Sequence, residues 1–408
     1  MGVVEAILPA RMGRAFRWLI GATWLSNLGD GIAVAAGPLL IAAQTKDPLL
    51  VASGALLQRL PWLLFGLYAG VLADRVNRRA IVVTANALRV LVLAVLAVVL
   101  LADAISIGVT LVALLALGVA EVFTDTASGT LLPMVVAKAD LGIGAARVMA
   151  CFLTANQLLG PAVGAFLFAV GWAVPFVAQA VLVGFAIVLI SRMRIPPFEP
   201  EAREAHLWRD VREGFAWLWH HPPVRTLTLT IVTFNVTYGA AWSVLVLYAE
   251  QQLGLGPVGF GLLSTFVAVG GVAGTLGYDW MERRFALSSL MRVVLVIETF
   301  THLGLALTTT PWVAMAIMVV FGAEVFVWGT LSTAVRMRAV PIELQGRIGS
   351  VYAVAVFGGM LLGQVVGGVL ARLGGITAPY WFAFFGSALI LALIWRALGD
   401  IAHVESAP

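Results

Sequence analysis

Apolar residues fill this chain in long runs, and polar residues gather in the short gaps between them. Twelve runs centre near residues 29, 60, 90, 117, 158, 182, 238, 268, 298, 323, 359 and 386. An α-helix needs roughly 20 apolar residues to cross the hydrocarbon core of a bilayer. Backbone groups find no water in lipid, so runs of this length can satisfy them only as helices. The pattern predicts an all-α membrane protein with 12 transmembrane helices. A polar stretch over residues 193–223, holding Pro196, Pro197, Pro200, Pro222 and Pro223, separates six runs from six. The expected organisation is a six-helix bundle over 1–192, a linker over 193–223 and a second bundle over 224–408. Within the linker, His206 to Trp219 predicts an amphipathic helix. Leu207, Val211, Phe215 and Leu218 fall on one face, and Arg209, Asp210, Arg212 and Glu213 lie largely opposite. Trp208, Trp217 and Trp219 suit the level of lipid headgroups.

Short patterns recur in order in the two halves, at offsets of about 203–208 residues. Asn27-x-x-Asp30-Gly31 in span 1 matches Asn235-x-x-Tyr238-Gly239 in span 7. Leu88-Arg89-Val90 in span 3 matches Met291-Arg292-Val293 in span 9. Glu121-Val122-Phe123 in span 4 matches Glu324-Val325-Phe326 in span 10. Gly160-x-x-x-Gly164 in span 5 matches Gly363-x-x-x-Gly367 in span 11. Their shared order argues for a duplication, two six-helix pseudo-repeats. Parallel repeats of this type place ligand sites near the midplane, between the halves.

Composition agrees with this picture. The chain is 61% hydrophobic and 11% charged, with a mean hydropathy of +1.00, far from the charge content of a soluble domain. Its net charge of +4 has a pattern. All but four of the 25 lysines and arginines fall on one side of the expected membrane, among them Arg11, Arg14, Arg17, Lys138, Arg147, Arg283, Arg284, Arg336, Arg338 and Arg347. The exceptions are Lys46 and Arg372 on the other side, and Arg59 and Arg89 inside spans. Positive charge marks the cytoplasmic side, so both termini are expected in the cytoplasm. The basic balance therefore reports topology and contact with lipid, and no nucleic-acid partner is expected. Cys151 is the only cysteine, so no intrachain disulfide can form. No cleavable signal peptide is expected, because the first span is long and polar at its centre. The histidines are His206, His220, His221, His302 and His403, and they make no metal-ligand pattern beyond one adjacent pair. No nucleotide loop or nucleophile–base set is present either, so neither an enzyme nor a bound metal or cofactor is expected.

Residues 66–80 carry the most specific signal. An apolar run ends at Gly70, and Asp74, Arg75, Arg78 and Arg79 follow at once. A weaker copy spans Gly274 to Phe285. Gly70 would permit close approach of a neighbouring helix, Asp74 can cap or pair, and the arginines hold the lipid–water boundary. A second motif, Gln157-Leu-Leu-Gly160-Pro161-Ala-Val-Gly164, lies in span 5. Its small residues would let spans 5 and 8 pack closely, and its proline would bend the span. Together these motifs resemble the major facilitator superfamily, over essentially the whole chain. Asn77 stands where the family loop has a glycine. The resemblance implies that the loop of Gly70, Asp74, Arg75, Arg78 and Arg79 helps hold the cytoplasmic gate shut. It also implies that Gly160, Pro161 and Gly164 form a helix motif associated with antiport. Ser26 to Asp30, Arg59-Leu60-Pro61, Leu132-Pro133, Val340-Pro341 and Gly346-Arg347 are similar to the branch containing macrolide-efflux proteins and the enterobactin exporter. Span 4 reads Gly118-Val-Ala-Glu121-Val-Phe-Thr-Asp125 and lacks the arginine-centred motif of other drug antiporters, so their proton-relay roles do not carry over.

Charges inside spans are expensive and each needs a reason. Arg89 with Glu121, and Arg292 with Glu324, read as two symmetric ion pairs, structural or lining a cavity. Asp30 and Arg59 lie near mid-span in adjacent antiparallel helices and are expected to pair. Asp30 would then be the main proton carrier, with Arg59 as its electrostatic partner; the alternative is a fixed structural pair. Asp125, one turn from Glu121, is a relay candidate or a helix-end residue facing interfacial water. Glu298 and His302, one turn apart in span 9, read as a structural pair or a further proton site. In this fold spans 1, 4, 7 and 10 line the cavity, which makes Asn27, Asn235, Tyr238, Trp242, Phe326 and Trp328 candidates for substrate contact.

The resemblance thus implies a secondary active exporter of a lipophilic or amphipathic small molecule. It would exchange protons by alternating access, with the proton gradient as energy source and no cofactor. A proton-coupled importer on the same fold is the alternative. The expected partners are the small molecule, protons and membrane lipid, with a monomer as the working unit in a bacterial cytoplasmic membrane.

Overall fold

A computed structural model describes residues 10–195, 207–341 and 344–398. Every regular element among them is helical. The first helices are α1 (Gly13–Gln44), α2 (Pro48–Arg75), α3 (Arg78–Leu101) and α4 (Ile107–Gly129). The span Lys138–Val170 is α5, and α6 is Val174–Ser191. Then come α7 (Leu207–His220), α8 (Pro222–Trp242), the short α9 (Leu245–Gln251), α10 (Pro257–Arg284), α11 (Leu287–Leu307), α12 (Pro311–Ala339), α13 (Gln345–Gly374) and α14 (Ala378–Ile394). Among the described residues, 10 helices are long and apolar enough to cross a bilayer. The pair α8–α9, bent by 41°, makes an eleventh if taken as one span, and α14 is a shorter apolar helix.

Local chemistry sets the ends of these helices. Proline occupies the first or second position of α6, α8, α10, α12 and α14, where its missing N–H has no intrahelical role. The Asn77 side chain caps α3 by accepting hydrogen bonds from the backbone N–H groups of Arg79 and Ala80, at 3.0 and 3.3 Å. This is what the residue in place of the family glycine does.

The chain forms two compact units. One holds the described residues of Met1–Gln44, Leu60–Ala205 and Pro257–Gly261, and the other those of Thr45–Arg59, His206–Gly256 and Leu262–Pro408. Helix α2 thus changes unit after Arg59, and α10 after Gly261. In the first unit a core of Leu19, Ala22, Val82, Ala127, Leu131 and Ala186 joins α1, α3, α4 and α6. In the second, Leu227, Phe234, Met291, Leu295, Val327 and Leu331 join α8, α11 and α12.

Helix crossings made by glycine shape both units. Gly160 and Gly164 of α5 lie against Gly31 and Ile32 of α1, and a Cβ on either glycine would fall inside that backbone. In the other unit Gly359, Gly363 and Gly367 of α13 meet Val232, Val236 and Ala240 of α8 in the same way. The expected partner of the Gly160 motif was span 8, but its glycines face α1. Pro161, through its carbonyl, and Ala165 meet Gly261, at the start of α10. The expected bend also takes a particular form. Phe152–Leu159 is π-helical, and the Gly160 N–H bonds to the Ala155 carbonyl, five residues back. The wider turn precedes Pro161, which has no N–H to donate.

The amphipathic helix is present as α7, with its faces set differently from the expectation. Val211, Gly214 and Leu218 point inward, whereas Phe215 is exposed. His206, Pro196, Pro197, Pro200, His403 and the Trp208 side chain lie outside the described residues.

Candidate functional site

Two polar clusters form inside the spans, one in each unit. The first begins at Asp30, in the middle of α1. Its carboxylate accepts an ion-paired hydrogen bond from Arg89 of α3. The Arg89 side chain is 2% exposed and that of Asp30 12%. Arg89 also donates to Asn86 Oδ1 at 3.2 Å, and the Thr124 hydroxyl of α4 reaches the same oxygen at 3.5 Å. The Arg89 Nε has no hydrogen-bond partner among the described residues. Gly31, next to Asp30, is the residue pressed against Asn156 and Gly160 of α5. The pair therefore stands at the crossing of α1 with the π-helical turn.

This arrangement corrects two expectations. Asp30 pairs with Arg89 and not with Arg59, and Arg89 is accordingly not the partner of Glu121. Arg59 is exposed and makes no hydrogen bond or ion pair among the described residues; its charge reaches Tyr238 instead. Glu121 is half-buried. Asp125 is exposed, and it has a partner.

The second cluster lies in the other unit, between α8, α11 and α12. Glu298, His302 and Glu324 are all buried. Both carboxylate oxygens of Glu324 and both ring nitrogens of His302 lack a hydrogen-bond partner among the described residues. The two glutamates are close enough for their charges to interact. Arg292 does not neutralise Glu324, contrary to the expected ion pair. Its guanidinium donates to the Trp395 carbonyl at 2.9 and 3.1 Å and lies 5.1 Å from the Trp395 ring centroid. Beside the carboxylates lies an aromatic cluster, the aromatic wall of this unit. Tyr238 stacks on Trp242 at 4.7 Å, Trp242 meets Phe321 at 4.4 Å, and His302 presents its ring edge-on to Trp242 at 6.0 Å.

The remaining candidates divide. Asn27 and Asn235 donate to the carbonyls four residues back, Thr23 and Ile231, both at 2.8 Å. The matched asparagines thus make the same local bond in the two units. Phe326 packs on Gly271, and Trp328 lies against the core of its unit rather than with the aromatic wall. In the loop after α2, Arg78 pairs with Asp74 at 3.6 Å and donates to the Ala73 carbonyl at 3.1 Å. Arg79 donates to the carbonyls of Ser191 and Met193 at the end of α6, and Arg75 also has a partner. Gly70 does not serve a close approach, since a Cβ there would meet nothing within 4 Å. Its counterpart Gly274 does: a Cβ would lie 2.6 Å from the Ala323 carbonyl oxygen.

A long helical chain with charged groups held inside its spans is the construction of a membrane transporter. The family profile described as transmembrane secretion effector matches residues 6–407. The chain belongs to this family of the major facilitator superfamily. It is an integral membrane transporter of the efflux branch and not an enzyme. Multidrug efflux pump Tap of Mycolicibacterium fortuitum is 26% identical over 404 residues, 94% of each chain. Macrolide efflux protein A of Streptococcus pyogenes is 21% identical over 374 residues, 89% of this chain and 90% of that one. Among solved structures, a bacterial homologue of the iron transporter ferroportin, in an inward-facing state, shares the fold with a TM-score of 0.76. The match has 16% identity and covers 95% of this chain and 98% of that one. The nucleoside transporter NupG matches with a TM-score of 0.71 at 14% identity, over 94% and 99% of the two chains.

For a secretion effector of this family, the second cluster is the part that the sequence concealed. Glu298 and Glu324 were legible as single charges. Phe321 and the approach of His302 to Trp242 were not, because the residues come from three spans with no shared motif.

Proposed function

We propose that this transporter has twelve spans in two six-helix pseudo-repeats. We further propose that it exports a lipophilic or amphipathic small molecule in exchange for protons, by alternating access across a bacterial cytoplasmic membrane. The observation that carries the reading is the pair Glu298 and Glu324, both buried, with no ion pair to either among the described residues, close to Tyr238, Trp242 and Phe321. Two carboxylate charges close together in a poorly polarisable site repel strongly, and one shared proton relieves that repulsion. Tyr238 and Trp242, both half-buried, offer flat apolar surface to an amphipathic molecule nearby. Proton and substrate then occupy adjoining positions, and each changes the electrostatics felt by the other. The equivalent crossings of α1 with α5 and of α8 with α13 support the repeat. The basic ends of α2, α10 and α12 support cytoplasmic termini.

A second reading keeps Asp30 as the proton carrier. Its favouring observation is the pair with Arg89 beside the Gly31–Gly160 crossing, since neutralising Asp30 would free Arg89 and loosen that crossing.

The test is substrate-dependent proton movement in proteoliposomes with an imposed pH gradient. Wild type is run beside Glu324→Gln, Glu298→Gln and Asp30→Asn, with macrolides, lipophilic cations and siderophores added singly. Loss of the signal in the glutamate variants alone supports the first reading, and loss in Asp30→Asn alone supports the second. Full coupling in all three would sink both.

A further inference from the structure

Helix α7 has two faces, and only one is used by the fold. Gly214 lies against α13, where a Cβ would fall 2.9 Å from the Arg347 carbonyl oxygen and 3.2 Å from Val351. Leu218 joins Val224, Val340, Ile348 and Val351 in a small core. Glu213 pairs with Arg347 at 2.7 Å. These contacts fix α7 on the first turns of α13.

The other face is a stripe at helical spacing: Arg209, Arg212, Phe215 with Ala216, then Trp219, all exposed. Phe215 is 53% exposed and Trp219 49%. The two rings stack on each other at 5.8 Å. Arg225 flanks the pair from the start of α8. Its guanidinium lies 5.9 Å from the Trp219 ring, and it donates to the Trp219 carbonyl at 3.2 Å. On the other flank, Arg212 makes no ion pair among the described residues.

A single residue, His221, separates α7 from α8. Because α8 opens a span, this stripe lies at the height where hydrocarbon gives way to headgroups. An aromatic pair framed by arginines has the chemistry of that layer: apolar rings for the acyl boundary and guanidinium groups for phosphate.

We propose that the exposed stripe of α7 is a binding surface for anionic lipid. Phe215 and Trp219 enter the interface, Arg212 and Arg225 hold headgroup phosphates, and the Glu213–Arg347 pair with the Gly214 contact links that lipid to α13.

The test uses the full-length chain with Cys151→Ser and Ala216→Cys, carrying an environment-sensitive fluorophore at position 216. It is reconstituted in phosphatidylcholine with increasing phosphatidylglycerol. Phosphatidylglycerol is expected to shift the emission to the blue and to shield the probe from aqueous iodide. Arg212→Gln should raise the mole fraction needed for half the effect by about fivefold, the equivalent of about 1 kcal/mol per basic residue. Arg212→Lys should restore most of the response. Arg212 is exposed and holds no ion pair among the described residues, so these variants are expected to keep the fold, which their elution profiles will check. A probe open to iodide at every lipid composition would overturn the proposal, whether water or another protein covers the helix. A phosphatidylglycerol response equal in Arg212→Gln and wild type would overturn it as well.

Discussion

The buried pair of Asp30 and Arg89 allows a double-mutant cycle with definite expectations. Arg89→Met keeps the length of the side chain and removes its charge. It leaves the Asp30 carboxylate facing apolar neighbours and takes one partner from Asn86. Breaking a buried pair from one side costs about 3–5 kcal/mol, because the remaining charge is stranded. Asp30→Asn strands Arg89 in turn, at the lower end of that range, since the amide oxygen still accepts one hydrogen bond. Applied together, the substitutions leave a neutral amide beside a thioether, and the total loss should fall to about 1 kcal/mol. The coupling between the sites is then several kcal/mol, well above the few tenths expected of independent positions. For a bundle of this size each single variant should melt roughly 10 °C below wild type. The assay is thermal unfolding of purified protein in one detergent, followed by the fluorescence of a thiol probe reacting with buried Cys151 as it becomes exposed. A double variant as unstable as the sum of the singles would refute the reasoning, and so would singles that melt with wild type.

Glu324→Gln should remove substrate-dependent proton movement yet melt at or above the wild-type temperature, because an unpartnered buried carboxylate gives way to a group cheaper to bury; a fall of several degrees would contradict this. Gly70→Ala should be silent in stability, while Gly274→Ala should cost on the order of 1–3 kcal/mol by forcing α10 from α12, and equal melting of the two variants would refute the distinction. Asn77→Ala should lower stability by about 1 kcal/mol through loss of the α3 cap, and Asn77→Gly by only a few tenths, which the same melting assay separates.

The all-helical membrane architecture, with 10 helices long and apolar enough to span among the described residues, was legible because its signal is length and composition. The glycine motifs were legible as packing devices, but their partners were not. Gly160 and Gly164 find α1 because Gly31 and Ile32 give a matching hollow there, and only three-dimensional register reveals that match. Asp30 and Arg59 were expected to pair because adjacent antiparallel helices bring mid-span residues near one another. Depth in the bilayer says nothing of direction around the helix, however, and Arg89 on α3 is the group that faces Asp30. The symmetry of Arg292 with Arg89 misled in a related way. At the exposed start of α11 a guanidinium reaches the free carbonyl of Trp395 instead of entering the bundle. Glu298 and His302 read as a structural pair or a further proton site from their spacing in span 9, and α11 in fact brings Glu298 near Glu324 and His302 to Trp242.

The π-helical stretch of α5 has a consequence for helical phase. A π turn takes up one residue more than an α turn, so Phe152–Leu159 carries slack within an otherwise taut rod. Were the segment to straighten into regular α-helix with all its residues kept, everything after it would be turned by roughly 100°. Gly160 and Gly164 would swing off α1, and larger neighbours would meet Gly31 and Ile32. The wider turn thus sets the compass bearing of the whole second half of α5: by taking up the surplus residue it keeps Gly160 and Gly164 on α1, and a deletion that removed only that residue would leave them facing the same way.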